Sequence, residues 1–292
     1  MELEFLHDMK KSILIPTDFS LNALNAVFYA FDLFRDEECV FHLYHTYYLK
    51  ASSRGNPLFP IPDTQEYRDA KLNVQRQMEL WKNKIINFAN AEKHSLYFDY
   101  EYGFFLDLID TKAQIEQVDL IIMGTRGATD DRKIAYGRNT IDVMDKVQHC
   151  PVLGIPKNVE FQKLNEIIFP TNFKGEWNWT DLDLLLEVAT ITNSPIRILH
   201  VGKESALNEM QVANMKLLET QFNPCEHSFH WLQDVNLADG LLLFVKQRGS
   251  GMIAFVNRKH WFFSTIFSST LIKDLSLHAT VPILALHNAP RS

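Results

Sequence analysis

The residues best placed to do chemistry follow a single apolar segment. They run Met123-Gly-Thr-Arg-Gly-Ala-Thr-Asp-Asp-Arg-Lys-Ile-Ala-Tyr-Gly-Arg-Asn-Thr140, with glycines at positions 124, 127 and 137. A strand that runs out into glycines lets the main chain come close to a ligand, because no Cβ intervenes and positive φ angles are cheap there. Gly137 stands ahead of a predicted helix that opens near Asn139. Unpaired N–H groups and the positive end of the helix dipole at such a point favour an anion by about 0.3–1 kcal/mol per charge. The chemistry on offer is phosphate binding by main-chain amides; the plainer alternative is a structural turn between strand and helix. Arg126 and Arg132 add positive charge to the loop, but Asp130 and Asp131 offset it, as on a solvated loop face.

The elements that must position this loop emerge from an internal repeat. Ser12-Ile-Leu-Ile-Pro-Thr-Asp-Phe19 reads like Glu166-Ile-Ile-Phe-Pro-Thr-Asn-Phe173, and Cys150-Pro-Val-Leu-Gly-Ile155 reads like Val281-Pro-Ile-Leu-Ala-Leu286. Each half therefore begins and ends with a matching apolar strand. Between these markers lie further strands at 40–45 and 120–123, separated by stretches of helical period near 20–35, 65–92, 106–117 and 138–148. The second half repeats the plan with strands at 196–201, 228–232 and 252–256. Alternation of this kind favours a parallel sheet with helices on both faces. The domains are read as 1–157 and 163–292, with the boundary in Pro156–Lys163, where polar residues take over. Lys50–Asp63, with Gly55, Pro57, Pro60 and Pro62, breaks both helix and ladder and reads as a surface loop, either a lid over a site or a long connection.

The spacing Gly124-x2-Gly127-x9-Gly137, together with Ile13-Leu-Ile-Pro-Thr-Asp-Phe-Ser20 at the first strand and Cys150-Pro-Val-Leu153 at the last, resembles the ATP-binding pattern of the universal stress protein family. The duplicated layout resembles tandem members of that family. The resemblance implies two α/β repeats, each a five-stranded parallel open sheet of Rossmann-like, adenine nucleotide alpha hydrolase-like type. It implies adenosine lying across the ends of strands one, two and four, where strand order reverses. Carried over by position, Pro16, Thr17 and Asp18 border the nucleoside, Asp18 accepting from ribose hydroxyls or helping to hold a metal ion such as magnesium. Thr46 lies near the adenine; Met123, Gly124, Arg126 and Gly127 belong to the ribose and phosphate side; Gly137, Asn139 and Thr140 bind phosphates. Arg138 stands where the family has a small hydroxyl residue. It can act as a bidentate phosphate clamp, aim at solvent, or crowd the pocket.

The second half carries Phe255-Val-Asn-Arg-Lys-His-Trp-Phe-Phe-Ser-Thr-Ile-Phe-Ser-Ser-Thr270 at the matching place, without a glycine, and Asn172 in place of Asp18. It reads as a degenerate partner repeat. Trp261, Phe262, Phe263 and Phe267 form either a docking patch or, more commonly for such clusters, buried packing. His227 and His230, with Cys225, fall on an alternating strand that sends the two rings to opposite faces, which argues against a metal site. Gly249-Ser-Gly251 precedes a strand instead of following one, so it is no nucleophile elbow, and Cys150 reads as inert packing. No Walker A sequence and no dinucleotide fingerprint after the first strand are present.

Composition narrows the class further. A chain of 292 residues with 46% hydrophobic and 22% charged residues is that of an ordinary globular protein. Net charge is −7 and the basic residues are scattered, so the electrostatic footprint of a nucleic-acid binder is missing. Cys39, Cys150 and Cys225 are widely spaced, the beginning Met1-Glu2-Leu3-Glu4-Phe5 is acidic, and no apolar run reaches spanning length; the expectation is a cytoplasmic protein without a membrane partner. Three functions remain in view. One is a binding protein for an adenine nucleotide, ATP or AMP, with or without magnesium, acting in stress response or signalling, with the two repeats packed as an intrachain pseudo-dimer through their last strands and whole chains able to dimerise. The others are a nucleotide-free interaction module of the same fold and a small-molecule hydrolase using Asp18 and His45.

Overall fold

Ile13, Leu14 and Ile15 are all 0% exposed. Because successive side chains of a strand point to opposite faces, this strand must be covered on both sides, as parallel sheets require. The computed structural model describes residues 10–49, 64–88, 91–125, 137–157, 159–174, 179–257, 275 and 280–287. In the first half, strands β1 (Lys11–Thr17), β2 (Cys39–Tyr47), β3 (Ser95–Tyr102), β4 (Leu120–Gly124) and β5 (Val152–Ile155) alternate with helices α1 (Leu21–Leu33), α2 (Gln65–Ile85), α3 (Phe105–Ile115) and α4 (Arg138–Lys146). In the second, β6 (Ile167–Pro170), β7 (Ile196–Val201), β8 (His227–Leu232), β9 (Met252–Asn257) and β10 (Ile283–His287) carry α5 (Asp183–Ile191), α6 (Glu209–Phe222) and α7 (Leu237–Arg248).

The strands form one sheet in the order β3-β2-β1-β4-β5-β10-β9-β6-β7-β8. Every neighbouring pair is parallel except β5 and β10, which run antiparallel with Leu153 opposite Leu284. The order reads the same from either edge, so two five-stranded parallel halves of identical connectivity meet through their last strands about an approximate twofold axis. The Lys50–Asp63 loop and the 261–267 aromatic cluster lie outside the described residues.

Two buried clusters line the sheet. On one face α1, α2, α5 and α6 contribute residues such as Phe31, Trp81, Leu185 and Leu218, and this cluster runs without a break across both halves. On the other, α3, α4 and α7 contribute Ile109, Val143, Met144 and Leu241. Each fully buried Leu, Ile or Val stabilises the fold by about 1.5–3 kcal/mol. Side-chain bridges reinforce the junction: Lys11 Nζ meets Glu187 at 2.9 Å, and Asn257 Nδ2 donates to the Met144 carbonyl at 2.8 Å. The connection after β5 also packs down, with the Phe161 ring edge-on to Tyr29 at 5.3 Å.

Among the described residues no helix is long and apolar enough to cross a membrane. No apolar run marks the strand at 95–102. Its sequence Ser-Leu-Tyr-Phe-Asp-Tyr-Glu-Tyr sits at the sheet edge with mixed half-buried and exposed positions, so its acids hide the alternation.

Candidate functional site

Since β2 and β4 flank β1 and run parallel to it, the carboxyl ends of all three share one edge of the sheet. Strand order reverses around β1, where crossovers diverge and a crevice opens. Pro16 and Thr17 end β1 and are buried, whereas Asp18 is exposed at the rim. Thr46 is half-buried near the end of β2, and Met123 and Gly124 close β4. Gly137 caps α4, its N–H donating to the Thr125 carbonyl, which ties the start of that helix to the end of β4. The structure thus gathers Thr17, Asp18, Thr46, Gly124 and the first turn of α4 at one edge. Arg126 and Gly127 lie outside the described residues.

Two of the gathered residues are already engaged. Thr140 is 2% exposed and its hydroxyl donates to the Gly124 carbonyl at 3.1 Å. A Cβ on Gly124 would lie 2.8 Å from the Asn22 carbonyl oxygen and 2.9 Å from its carbon, so the missing side chain is what lets the first turn of α1 close on β4. Arg138 resolves one open alternative. Its side chain is 93% exposed, with Nε 3.9 Å from Asp142 Oδ2, and it extends into solvent. The exposed Arg138 and Asn139 therefore begin a helix whose first N–H groups have no partners further back in the helix.

The Pro-Thr-Asx-Phe turn that leads into the site is built identically in both halves. Thr17 Oγ1 accepts from Phe19 N at 2.9 Å and Asp18 Oδ1 from Ser20 N at 3.0 Å; Thr171 Oγ1 accepts from Phe173 N at 3.0 Å and Asn172 Oδ1 from Lys174 N at 2.9 Å. These bonds hold Phe19 and Phe173 at φ of 62° and 55°, a left-handed conformation that a phenylalanine adopts only when its surroundings enforce it. A histidine completes each turn. His45 Nδ1 donates to the Thr17 carbonyl at 2.6 Å and its ring lies 4.3 Å from Phe19; His200 Nδ1 donates to the Thr171 carbonyl at 2.9 Å and stacks on Phe173 at 5.0 Å. Burial holds both imidazoles below the usual histidine pKa, outweighing the carbonyl that accepts from each ring.

Recurrence beside Asn172, which cannot act as an acid or base, assigns the histidine a bracing role between neighbouring strands. Only pairing strand ends in space could have found it, because 28 and 29 residues separate each histidine from its threonine. His227 and His230 do fall on opposite faces, His227 against Phe222 and His230 against Phe244. Among the described residues no group of three or more His, Cys, Asp or Glu side chains is arranged to hold a metal ion.

Fold and topology together define a doubly wound α/β protein whose strand order reverses at β1. The universal stress protein family model matches residues 9–156, and the chain belongs to that family. Among solved structures, a universal stress protein from Archaeoglobus fulgidus DSM 4304 is 17% identical with a TM-score of 0.69, over 95% of this chain and 98% of that one. A functionally unknown protein from Pseudomonas aeruginosa PAO1 is 12% identical with a TM-score of 0.57, over 97% and 94%. The cytoplasmic domain of a prokaryotic cation chloride cotransporter is 9% identical with a TM-score of 0.51, over 96% of each chain. These likenesses are of fold. A search of curated proteins gave no match.

Proposed function

We propose that this chain is a tandem universal stress protein that binds an adenine nucleotide, ATP or AMP, in its first half. The ligand then biases the arrangement of the halves, or recruits a partner, in cytoplasmic stress response or signalling. The observation that carries the reading is the convergence of the exposed Asp18, the end of β4 and the first turn of α4 on one edge. In this reading Asp18 accepts from ribose hydroxyls or helps to hold magnesium, and the amides of Arg138, Asn139 and Thr140 donate to phosphate oxygens. Family membership supports the reading. The matching connectivity of the halves, and a relative that spans both, support the tandem description.

A second reading, a nucleotide-free interaction module, is favoured by the internal engagement of Gly124 and Thr140. The hydrolase reading draws no support from His45, whose bond to the Thr17 carbonyl recurs at His200 beside Asn172. Calorimetric titration of the full chain with ATP and AMP separates the first two. Binding weakened by Asp18→Ala and by Arg138→Glu supports the nucleotide site, whereas absence of heat with either nucleotide supports the module. Mass spectrometry of small molecules released from protein purified without added nucleotide identifies a resident ligand directly.

A further inference from the structure

Away from the carboxyl edge, a cleft of about 600 Å³ opens between the edge strand β3 and helix α3, lined by Ser12, His42, Tyr97, Asp99, Lys112 and Glu116 among others. Its volume lies in the range of small-molecule sites. Lys112 sits in it with Nζ 3.2 Å from Asp99 and 2.9 Å from Glu116, over the Tyr44 ring at 5.5 Å, so two of its three donors are engaged. The Ser12 hydroxyl donates its one proton to the Glu116 carbonyl at 3.2 Å. His42 Nε2 lies 3.2 Å from the Ser12 Oγ; in the tautomer that donates to it, Nδ1 is left as an acceptor on a ring that is only 8% exposed and lines the cleft. The Tyr97 ring, 58% exposed, stacks on His42 at 5.5 Å and offers its other face.

The opposite half shows what the fold does when this place is closed. By strand register and the turn after each helix, Ser12, His42, Tyr97 and Glu116 correspond to Glu166, Arg197, Ser228 and Arg248. There Glu166 accepts from Arg197 at 3.0 Å, from Arg248 at 2.7 Å and from Ser250 at 2.8 Å, so both guanidinium groups are satisfied within the chain. The first half has neither arginine. Beside the Lys112 ammonium and the hydroxyls, it presents the His42 nitrogen and the remaining lone pairs of Asp99 and Glu116, next to an aromatic face.

We propose that this cleft binds a small organic cation rich in N–H donors, of the amine or guanidine class, held by the Asp99 and Glu116 carboxylates and His42 Nδ1 and stacked against Tyr97. An ammonium or guanidinium supplies both the charge and the hydrogen bonds, and its attraction to an aromatic face adds to them.

The test is calorimetric and NMR titration of the full chain with spermidine and agmatine. Saturable binding is expected, with shifts at the His42 and Tyr97 rings. The Asp99→Asn/Glu116→Gln double variant should weaken it about tenfold or more. Tyr97→Ala, at an exposed ring, should weaken it about threefold and keeps the test decisive if the double variant does not fold. Unmoved His42 and Tyr97 signals at about 20 mM of either amine, undiminished affinity in these variants, or tighter occupation by inorganic phosphate would each overturn the proposal.

Discussion

The two halves share connectivity, a junction strand and a hydrogen-bonded turn, yet they differ at both ends of the sheet. At the carboxyl edge the first half has Gly124 where the second has Val256, and the exposed Asp18 where the second has Asn172. At the opposite end the first half leaves a cleft, while the second seals the same place with a buried carboxylate and two arginines. What the halves have in common is what the fold requires. Where they differ at the end away from the carboxyl edge, the second half fills with its own ion pairs a place that in the first half lines a cleft.

The largest test of this comparison is Glu166→Gln. Burial by itself would raise this carboxyl, but hydrogen bonds from Arg248, Ser250 and Arg197 outweigh it and hold the pKa at about 2. Its stabilisation is therefore present above the usual carboxylate pKa and is lost as pH falls from that value towards 2. Breaking a buried pair leaves uncompensated charge, so the variant should lose about 3 kcal/mol in urea unfolding at neutral pH. Ser12→Ala at the equivalent position should cost about 1 kcal/mol. Equal losses would show that the first half relies on its cleft for stability.

Gly124→Ala comes next. The added methyl meets the Asn22 backbone, which cannot swing aside, so thermal unfolding should show a loss of about 1–3 kcal/mol. Val256→Ala removes buried atoms without a clash and should cost roughly 1–2 kcal/mol.

Substitutions at the rim should weaken binding more than they weaken the fold. Arg138→Glu is expected to weaken ATP binding about tenfold by calorimetry with the ligand-free melting temperature unchanged. Asp18→Ala should weaken it about tenfold while costing roughly 1 kcal/mol of stability through loss of the bond from Ser20 N. Asn172→Asp should create no second site, because Val256 still stands where the glycine would be; ATP binding by two sites in that variant would remove the glycine from the argument.

The smallest effect expected is of pH on the paired braces. Burial depresses His45 and His200 in the folded state, so the unfolded chain binds more protons as pH falls below about 6.5, and stability declines there. A melting temperature lower by a few degrees at pH 5 than at pH 7.5 should be recovered in part by His45→Gln and His200→Gln together. A flat profile in the parent protein would show that the rings are not held neutral.

Much of this was legible before the structure. The Pro-Thr-Asx-Phe repeat, the glycine spacing and the apolar runs are local signals, because burial on both faces of a parallel strand writes an unbroken hydrophobic stretch into the chain. They determined two matching α/β halves and the position of the candidate site. Tertiary structure alone decided the rest. It joined β5 to β10 antiparallel, closed His45 onto Thr17, spent Gly124 and Thr140 on packing, turned Arg138 to solvent, and left acceptors facing a cleft in one half where arginines close the other. The reason is physical: a residue's type fixes what it can donate, accept or bury, but which of those capacities remain free depends on partners that the fold brings from distant parts of the sequence.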